Sequence, residues 1–258
     1  MAFQDLMARA RKRLRLLAGK SANPFFPFAD QELDPSEAAR LKAEAGTDLE
    51  RLIYGHKGRI VHKWLQYPRV YEKEFGGYCG TDVNFLEIGI FRGGSIELWR
   101  EYFGQAAKIA GIDINPACKD YVEEPNRAFI GSQADEDFLK SVIDEIGSPD
   151  IILDDGSHVA DHQMASFLIL FPLLKTGGLY VIEDLHTAYW PGFYKGGYRR
   201  SGTAIELAKT LVDDMHAWYH AQGSKLADRT SIASVRFYDS IVVIEKGSVK
   251  MPQHIKVS

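Results

Sequence analysis

Short runs of apolar residues alternate with amphipathic stretches along the chain from about residue 84 onward. Short apolar runs are typical of strands that are buried on both faces, and apolar residues three and four positions apart are typical of helices. The alternation therefore predicts a parallel sheet that is covered by helices on both faces through right-handed crossovers. The predicted strands are residues 85–90, 109–114, 128–130, 151–153 and 179–182, and the predicted helices are residues 95–102, 136–146 and 159–174.

The pattern changes towards the end of the chain. A long helical stretch over about 202–220 is followed by two apolar runs, 232–237 and 241–246, with the turn Tyr238-Asp239-Ser240 between them. These runs predict an antiparallel hairpin at the edge of the sheet. A parallel sheet that ends in such a pair is a doubly wound α/β fold, with its ligand crevice at the carboxyl ends of the strands.

Residues 1–80 do not follow this alternation, and we interpret them as a helical N-terminal extension and cap before a main domain at residues 81–250. Residues 48–75 mix aromatic and cationic side chains, which favours a cap whose aromatic residues face a pocket. The first residues predict a basic amphipathic helix that contacts its own domain or a neighbouring subunit rather than a membrane, and we therefore expect a homo-oligomer. Its apolar positions are Phe3, Leu6, Ala10, Leu14 and Leu17.

Composition narrows the class of partner. The 258 residues carry 31 Lys and Arg against 35 Asp and Glu, a net charge of −4. This balance lacks the positive field of a dedicated nucleic-acid-binding protein and favours a small-molecule partner. No apolar run approaches the roughly 18 residues of a transmembrane helix. Cys79 and Cys118 match no zinc-site spacing, which favours reduced thiols and a cytoplasmic location.

The first predicted strand leads into a glycine-rich turn. Glu87 is followed by Gly89, Gly93, Gly94 and Ser95. Glycines at the start of a helix allow a ligand to approach the free backbone N–H groups closely. A tight strand-to-helix turn alone would explain one glycine well and three poorly. The Gly-x-x-x-Gly-Gly spacing differs from the Gly-x-Gly-x-x-Gly of dinucleotide-binding proteins, which weakens the case for NAD.

The next two strand ends carry polar residues suited to a nucleoside. Asp113 ends the second strand, where a carboxylate can accept both hydroxyls of a ribose, although an acidic residue there can also be only a helix cap. Ser132 and Gln133 follow the third strand and could contact an adenine edge.

Carboxylates accumulate after the fourth and fifth strands. Asp154 and Asp155 follow the fourth strand, and Glu183 and Asp184 follow the fifth. Neighbouring carboxylates repel one another unless a cation neutralises them, and oxygen ligands favour Mg²⁺ or Mn²⁺, although Asp154 and Asp184 could instead cap helices. His158 lies close enough to act as a general base. Tyr189 and Trp190 belong to an aromatic, glycine-punctuated segment that predicts a lid or a stacking wall for a flat or sugar-like substrate.

Taken together, the segments 85–89, 111–113, 152–158 and 180–192 resemble the class I S-adenosylmethionine-dependent methyltransferases. Within that class the chain resembles the metal-dependent sugar O-methyltransferases of macrolide biosynthesis. The similarity covers residues 48–193. It is strongest in the Asp-Asp-Gly-Ser-His and Glu-Asp-x-x-Thr-x-Tyr-Trp-Pro-Gly segments.

The resemblance implies a seven-stranded Rossmann-like methyltransferase fold. It implies that Asp155, Glu183 and Asp184 bind Mg²⁺ (or Mn²⁺) and that His158 is the catalytic base. Relatives have Gly-Asp-Gln where this chain has Gly131-Ser132-Gln133. The residues expected to bind S-adenosylmethionine are Glu87, Gly89, Gly93, Ser95, Asp113, Ser132, Gln133 and Asp154, and those expected to contact the substrate are Tyr189 and Trp190.

The expected activity is therefore metal-dependent methyl transfer from S-adenosylmethionine to a hydroxyl of a sugar or of a glycosylated natural product. Three alternatives remain open from the sequence. They are an NAD-dependent oxidoreductase, a protein resembling cephalosporin hydroxylases, and a non-catalytic binding subunit.

Overall fold

The computed structural model describes residues 33–192 and 194–257. The basic amphipathic helix predicted at the start of the chain lies outside these residues. Within the described ranges, no helix is both long and apolar enough to span a bilayer.

A seven-stranded sheet forms the centre of the molecule, in the order β3-β2-β1-β4-β5-β7-β6. The first five strands pair in parallel, and β7 pairs antiparallel with both β5 and β6. The predicted doubly wound α/β fold with an antiparallel C-terminal hairpin is confirmed. The strands are β1 (Asn84–Ile88), β2 (Lys108–Asp113), β3 (Arg127–Ile130), β4 (Ile151–Asp154), β5 (Leu179–Ile182), β6 (Ile232–Tyr238) and β7 (Ile241–Lys246).

Helices cover both faces of this sheet. In the described residues the α-helices are α1 (Pro35–Glu44), α2 (Asp48–Gly55), α3 (Tyr67–Phe75), α4 (Gly94–Phe103), α5 (Glu136–Ile146), α6 (Ala160–Leu170) and α7 (Ala204–Met215). Short 3₁₀ helices are Gly76–Tyr78, Pro116–Tyr121, Phe171–Leu173 and Leu185–Tyr189.

Two predicted helices are longer than the helices in the structure. The predicted helix 159–174 is an α-helix only over Ala160–Leu170 and continues as the 3₁₀ helix Phe171–Leu173. Pro172 has no N–H group with which to continue the α-helical pattern. The predicted helix 202–220 is α-helical only over Ala204–Met215.

The early end of α7 reflects a contact that the local pattern does not contain. The buried carboxylate of Asp214 accepts the backbone N–H groups of Lys225, Leu226 and Ala227 at 2.7–2.9 Å. Because these residues are ten or more positions away, the chain must turn back after α7 for the bonds to form.

Alternating side chains along the strands build a separate core on each face of the sheet. On one face Phe85 packs with Phe75, Trp99 and Phe103, so that α3 and α4 lie against the strands. On the other face Leu86 belongs to the core formed with α5, α6 and α7. Because successive side chains of a strand point to opposite faces, the position of a residue at a strand end determines which of the two cores its side chain contacts.

The N-terminal helices α2 and α3 are tied to each other by hydrogen bonds. The side chain of Thr47 and the side chain of Glu50 form a reciprocal capping box at the start of α2. The other oxygen of Glu50 accepts a bond from Arg69 Nε of α3 at 2.6 Å, and Leu49 N–H donates to Glu72 at 3.0 Å. The predicted cap is thus packed on the sheet, while the proposed boundary at residue 80 stays a prediction.

Replacing Phe75 tests whether α3 belongs to the core of the sheet domain. Phe75→Ala removes a fully buried ring, and we expect it to lower the free energy of unfolding by about 3–5 kcal/mol. The control is Phe237→Ala on β6, where the ring is 43% exposed and we expect a loss below about 1 kcal/mol. Urea denaturation measures both, and equal losses would contradict a shared core.

Candidate active site

The carboxyl ends of β1, β4 and β5 lie side by side because these three strands are neighbours in the sheet. Gly89 follows β1 with a φ of 103°, and a Cβ there would meet the Asp155 carbonyl oxygen at 2.1 Å. Gly93 precedes α4 with a φ of 79°, and a Cβ there would meet the Tyr121 carbonyl oxygen at 2.6 Å. Both glycines therefore have a structural reason within the fold, in addition to any contact with a ligand.

Glu87 lies fully buried beneath the glycine-rich turn. Its carboxylate accepts hydrogen bonds from Ser95 Oγ at 2.8 Å and from Trp99 Nε1 at 3.2 Å. Burial raises the pKa of Glu87 to about 7, although Lys63 opposes this shift. The structure thus brings together Glu87 and Ser95, two of the residues predicted for the cofactor.

Asp113 lies at the end of β2 and organises the same turn from the other side. Its Oδ2 accepts the N–H groups of Ile90 and Phe91 at 3.0 Å, and its Oδ1 accepts the N–H of Asn115 at 2.8 Å. Phe91 and Ile114 next to it are 60% and 73% exposed. A carboxylate flanked by exposed apolar side chains suits a nucleoside, because ribose hydroxyls can donate to the carboxylate while the base packs on apolar groups.

Gln133 and Asp154 face the interior. The amide oxygen of Gln133 accepts the Ser157 N–H at 2.8 Å, and its Nε2 donates to Asp154 at 3.1 Å. Asp154 is fully buried and also accepts a bond from Ser166 Oγ at 2.6 Å. Ser132 Oγ accepts the N–H of Ala134 at 3.2 Å. These contacts hold the segment that follows β4, so Asp154 does not join the other carboxylates, and its predicted contact with a cofactor stays a prediction.

Asp154 and Glu183 point to opposite faces of the sheet because side chains alternate between the two faces along a strand. Odd-numbered residues of β4 and β5, such as Leu153 and Val181, belong to the core beneath α2–α4. Even-numbered residues, such as Ile152 and Tyr180, belong to the other core. Asp154 lies on the even side, beside the ring of Tyr180, whereas Glu183 meets side chains of the N-terminal segment.

Asp155, His158 and Asp184 form a compact group in which one ligand atom from each residue lies within 4.8 Å of the others. His158 Nε2 is 3.5 Å from Asp184 Oδ2 and 3.9 Å from Asp155 Oδ1. His158 and Asp184 both have a φ of 55°, in the left-handed region that non-glycine residues rarely adopt. Strained backbone of this kind is concentrated at functional sites.

Glu183 lies deeper than these three residues and is 1% exposed. Its Oε1 accepts a bond from Lys63 Nζ at 2.7 Å and a bond from the hydroxyl of Tyr71. Burial and the carboxylate of Asp155 raise the pKa of Glu183 well above its usual value, against the effect of Lys63. Glu183, a predicted metal ligand, thus lies outside the group formed by Asp155, His158 and Asp184, with one oxygen already bonded to the protein, and its role as a ligand stays a prediction.

The sequence patterns did not single out the lysine and tyrosine side chains that donate hydrogen bonds to these carboxylates. Lys63 Nζ donates to Asp155 Oδ2 at 2.5 Å, and the hydroxyl of Tyr67 donates to Asp184 Oδ1 at 2.5 Å. Burial alone would lower the pKa of Lys63, but the carboxylates of Asp155, Glu183 and Glu87 raise it, so that the ammonium stays charged. The available signal was the mixture of aromatic and cationic residues in segment 48–75.

Aromatic rings extend from the carboxylates to the predicted lid. The Trp64 and His186 rings lie 5.0 Å apart, His186 and Trp190 lie 4.8 Å apart, and Trp190 and Tyr194 lie 5.8 Å apart. His158 lies 6.4 Å from Tyr194, so the row of rings reaches the candidate base. Tyr189 is 42% exposed. A row of aromatic rings is therefore present and includes Trp64 from the N-terminal segment, while its predicted role as a lid or stacking wall stays a prediction.

The strand order, the glycine-rich turn after β1 and the acids at the ends of β1 and β2 define a Rossmann-like methyltransferase fold. The MycE methyltransferase from the mycinamycin biosynthetic pathway, solved in complex with Mg, SAH and mycinamycin VI, superposes with a TM-score of 0.67. It is 31% identical to this chain, and the match covers 85% of this chain and 55% of that one. No protein-family model matches the chain.

The chain belongs to the family of O-methyltransferases that includes the demethylmacrocin and mycinamicin VI enzymes. Demethylmacrocin O-methyltransferase of Streptomyces fradiae is 38% identical, over 95% of this chain and 67% of the relative. The 8-demethyl-8-(2-methoxy-alpha-L-rhamnosyl)-tetracenomycin-C 3'-O-methyltransferase of Streptomyces olivaceus is 36% identical, over 88% of this chain. The chain spans 60% of the length of this second relative. The predicted family resemblance and fold are confirmed.

The close approach of the β1 and β4 ends leads to a test with a matched pair of glycines. Gly89→Ala adds a clash with the Asp155 carbonyl to the strain of a positive φ, whereas Gly177→Ala has a φ of 85° but no atom within 4 Å. We expect both to destabilise the protein, and Gly89→Ala by about 1–3 kcal/mol more. Thermal unfolding measures the difference, and equal losses would contradict the tight packing.

Proposed function

We propose that this chain transfers a methyl group from S-adenosylmethionine to a hydroxyl of a sugar on a glycosylated natural product. The observation that carries the proposal is the group formed by Asp155, His158 and Asp184, which lies at the carboxyl ends of neighbouring strands. The Glu87 and Asp113 side of the same sheet edge suits a nucleoside-containing methyl donor. The family members are named for methyl transfer to rhamnosyl tetracenomycins, to a mycinamicin and to demethylmacrocin. These names support a glycoside as the acceptor.

The donor atoms of this group fit a divalent cation. Asp155 and Asp184 supply carboxylate oxygens, and Glu183 lies next to them with its Oε1 bonded to Lys63. Oxygen donors favour Mg²⁺ or Mn²⁺, and neither cysteine belongs to the group. When bound, such a cation would supply positive charge that favours an ionised acceptor hydroxyl, and the sulfonium cofactor would supply the electrophilic methyl group.

His158 is suited to take the proton of the acceptor hydroxyl. Its Nε2 faces carboxylate oxygens of Asp155 and Asp184, which stabilise the imidazolium that proton transfer creates. Its Nδ1 is buried and makes no hydrogen bond within the described residues. Proton transfer at Nε2 therefore does not disturb another bond of the ring.

The methyl-donor side is organised by backbone groups. Asp113 fixes the turn after β1 through two N–H groups, and Glu87 fixes the start of α4 through Ser95 and Trp99. We assign ribose binding to the remaining lone pairs of Asp113. The exposed side chains of Phe91 and Ile114 then supply apolar surface for the base.

On the acceptor side, we assign the row of rings from Trp64 to Tyr194 to the sugar or its aglycone. Aromatic faces and edges provide large apolar contact area, and the neighbouring carboxylates and imidazoles provide polar partners for hydroxyl groups. Tyr189 and Trp190 remain the predicted substrate contacts. Homo-oligomer formation and a cytoplasmic location also stay predictions. The O-methyltransferase relatives favour this reaction over the oxidoreductase, hydroxylase-like and binding-subunit alternatives.

Replacing the proposed base separates chemistry from binding. We expect His158→Ala to lower kcat by about 10²–10⁴-fold, because proton removal contributes that much to such reactions, and to change the Kd for S-adenosylmethionine by less than about 3-fold. Methyl-label transfer and calorimetry measure the two quantities. His216→Ala, at an exposed histidine of the same protein, is the control and should leave both unchanged. Unchanged turnover in His158→Ala would contradict the assignment.

Removal of the cation tests the metal assignment. We expect a chelator to abolish methyl transfer and Mg²⁺ or Mn²⁺ to restore it, because the acceptor hydroxyl ionises poorly without the added positive charge. Asp184→Asn should raise the Mg²⁺ concentration that gives half-maximal activity by at least roughly 10–100-fold, which is the loss typical of mutating even a hydrogen-bond partner of a metal ligand. The matched control is Asp213→Asn at an exposed position of α7. Full activity after complete removal of divalent ions would contradict this assignment.

A further inference from the structure

Lys63 lies in the segment between α2 and α3, and its side chain is only 3% exposed. Its Nζ is 2.5 Å from Asp155 Oδ2, 2.7 Å from Glu183 Oε1 and 3.9 Å from Glu87 Oε1. These acids come from the ends of three different strands. A single buried ammonium therefore contacts the carboxylates of β1, β4 and β5 at one point.

The segment that carries Lys63 also has contacts on both sides that do not involve these carboxylates. Arg59 N–H donates to Glu97 on α4 at 2.9 Å, and His56 Nε2 contacts the Arg59 carbonyl oxygen at 2.7 Å. On the far side of Lys63, Tyr67 and Tyr71 are buried in the core beneath the sheet. The position of the ammonium is thus determined by packing on both sides of it.

The N-terminal segment also divides the oxygens of the site into two sets. Lys63 contacts Oδ2 of Asp155, and Tyr67 contacts Oδ1 of Asp184. The other oxygens, Oδ1 of Asp155 and Oδ2 of Asp184, are the ones closest to His158 Nε2. Each aspartate is therefore bonded to the protein on one side and directed towards its neighbours on the other.

Burying carboxylates close together is costly, because each loses its hydration and repels the others. Removing one partner of a buried ion pair typically costs several kcal/mol, since an uncompensated charge is left behind. A divalent cation at the same carboxylates would provide the missing charge and would stabilise the folded state by binding it preferentially.

We propose that Lys63 is a positioning residue whose ammonium is the internal counter-charge that holds Glu87, Asp155 and Glu183 together before a divalent cation binds. The idea rests on the cation site of the proposed function but does not require methyl transfer. Its consequence is that the protein folds without the cation because Lys63 is present. When a neutral residue replaces Lys63, the stability of the folded state depends on the cation.

Thermal unfolding of the full chain with EDTA, and again with excess Mg²⁺, tests this proposal. Lys63→Met removes the charge and keeps an unbranched side chain of similar length. We expect its Tm to fall by roughly 10 °C in EDTA, and by less than half as much in Mg²⁺. The stabilisation by Mg²⁺ is then larger in the variant than in the unchanged protein. Equal losses of Tm in EDTA and in Mg²⁺ would overturn the proposal.

Tyr71→Phe is the matched control. It removes the hydrogen bond that a neutral hydroxyl donates to Glu183 Oε1, the oxygen that Lys63 also contacts, without changing the charge of the site. We expect a smaller loss of Tm, and the same loss with and without Mg²⁺. If Tyr71→Phe gained as much from Mg²⁺ as Lys63→Met does, the effect would reflect general loosening of the segment, and the charge assignment would be wrong.

A double variant keeps the test decisive if Lys63→Met does not fold in EDTA. Lys63→Met combined with Asp155→Asn removes the ammonium and the carboxylate that it contacts most closely, one charge of each sign, so the net charge of the cluster returns to that of the unchanged protein. We expect the double variant to be more stable in EDTA than Lys63→Met alone, and a double variant no more stable would contradict the proposal. Because this comparison needs neither Mg²⁺ nor turnover, it distinguishes failure of the Lys63 assignment from failure of the proposed function.

Discussion

Negative charge at the carboxyl ends of three neighbouring strands is the constraint on which the arrangement of this protein depends. The order of the sheet places β1, β4 and β5 side by side, and their ends bring Glu87, Asp155 and Glu183 within reach of one ammonium. A fold that brings carboxylates this close is stable only when positive charge or hydrogen-bond donors offset their repulsion. Among the described residues, the offset comes from Lys63 and the Tyr71 hydroxyl, in the segment that precedes the sheet, and from Ser95 and Trp99 of α4, which donate to Glu87.

The two layers beneath and above the sheet divide the work of holding the site. Helices α2 and α3 pack against the face that carries Glu87 and Glu183. Lys63, between the two helices, and the tyrosine hydroxyls of α3 supply donors to the acids. The opposite layer holds Asp154 through Gln133 and Ser166, which anchors the start of the segment that contains His158. The group formed by Asp155, His158 and Asp184 therefore lies between two packed layers. Such preorganisation suits the proposed methyl transfer, because that reaction depends on alignment.

Much of the fold could be predicted from the pattern of residues, because buried parallel strands and amphipathic helices leave strong periodic signals. The predicted positions of β3, β5 and β7 agree closely with the structure. The predicted ends of α6 and α7 were wrong. The helix type changes at Pro172, and Asp214 accepts hydrogen bonds from backbone groups more than ten residues away. Asp155, His158 and Asp184 were each singled out from the strand ends, whereas the residues of segment 48–75 that bond to the carboxylates were not. A lysine or tyrosine on an irregular segment carries no periodic signal for its partner.

The amino-acid sequence by itself determined the α/β class, the strand positions, the acidic strand ends and the resemblance to sugar O-methyltransferases, because these depend on local composition and spacing. The tertiary structure alone decided which acids share a site. Adjacent residues of a strand point to opposite faces, so Asp154 turns away from Asp155 although the two are neighbours in the chain. Lys63 meets Asp155 across 92 positions, because helix packing brings them together, and no local pattern encodes that distance.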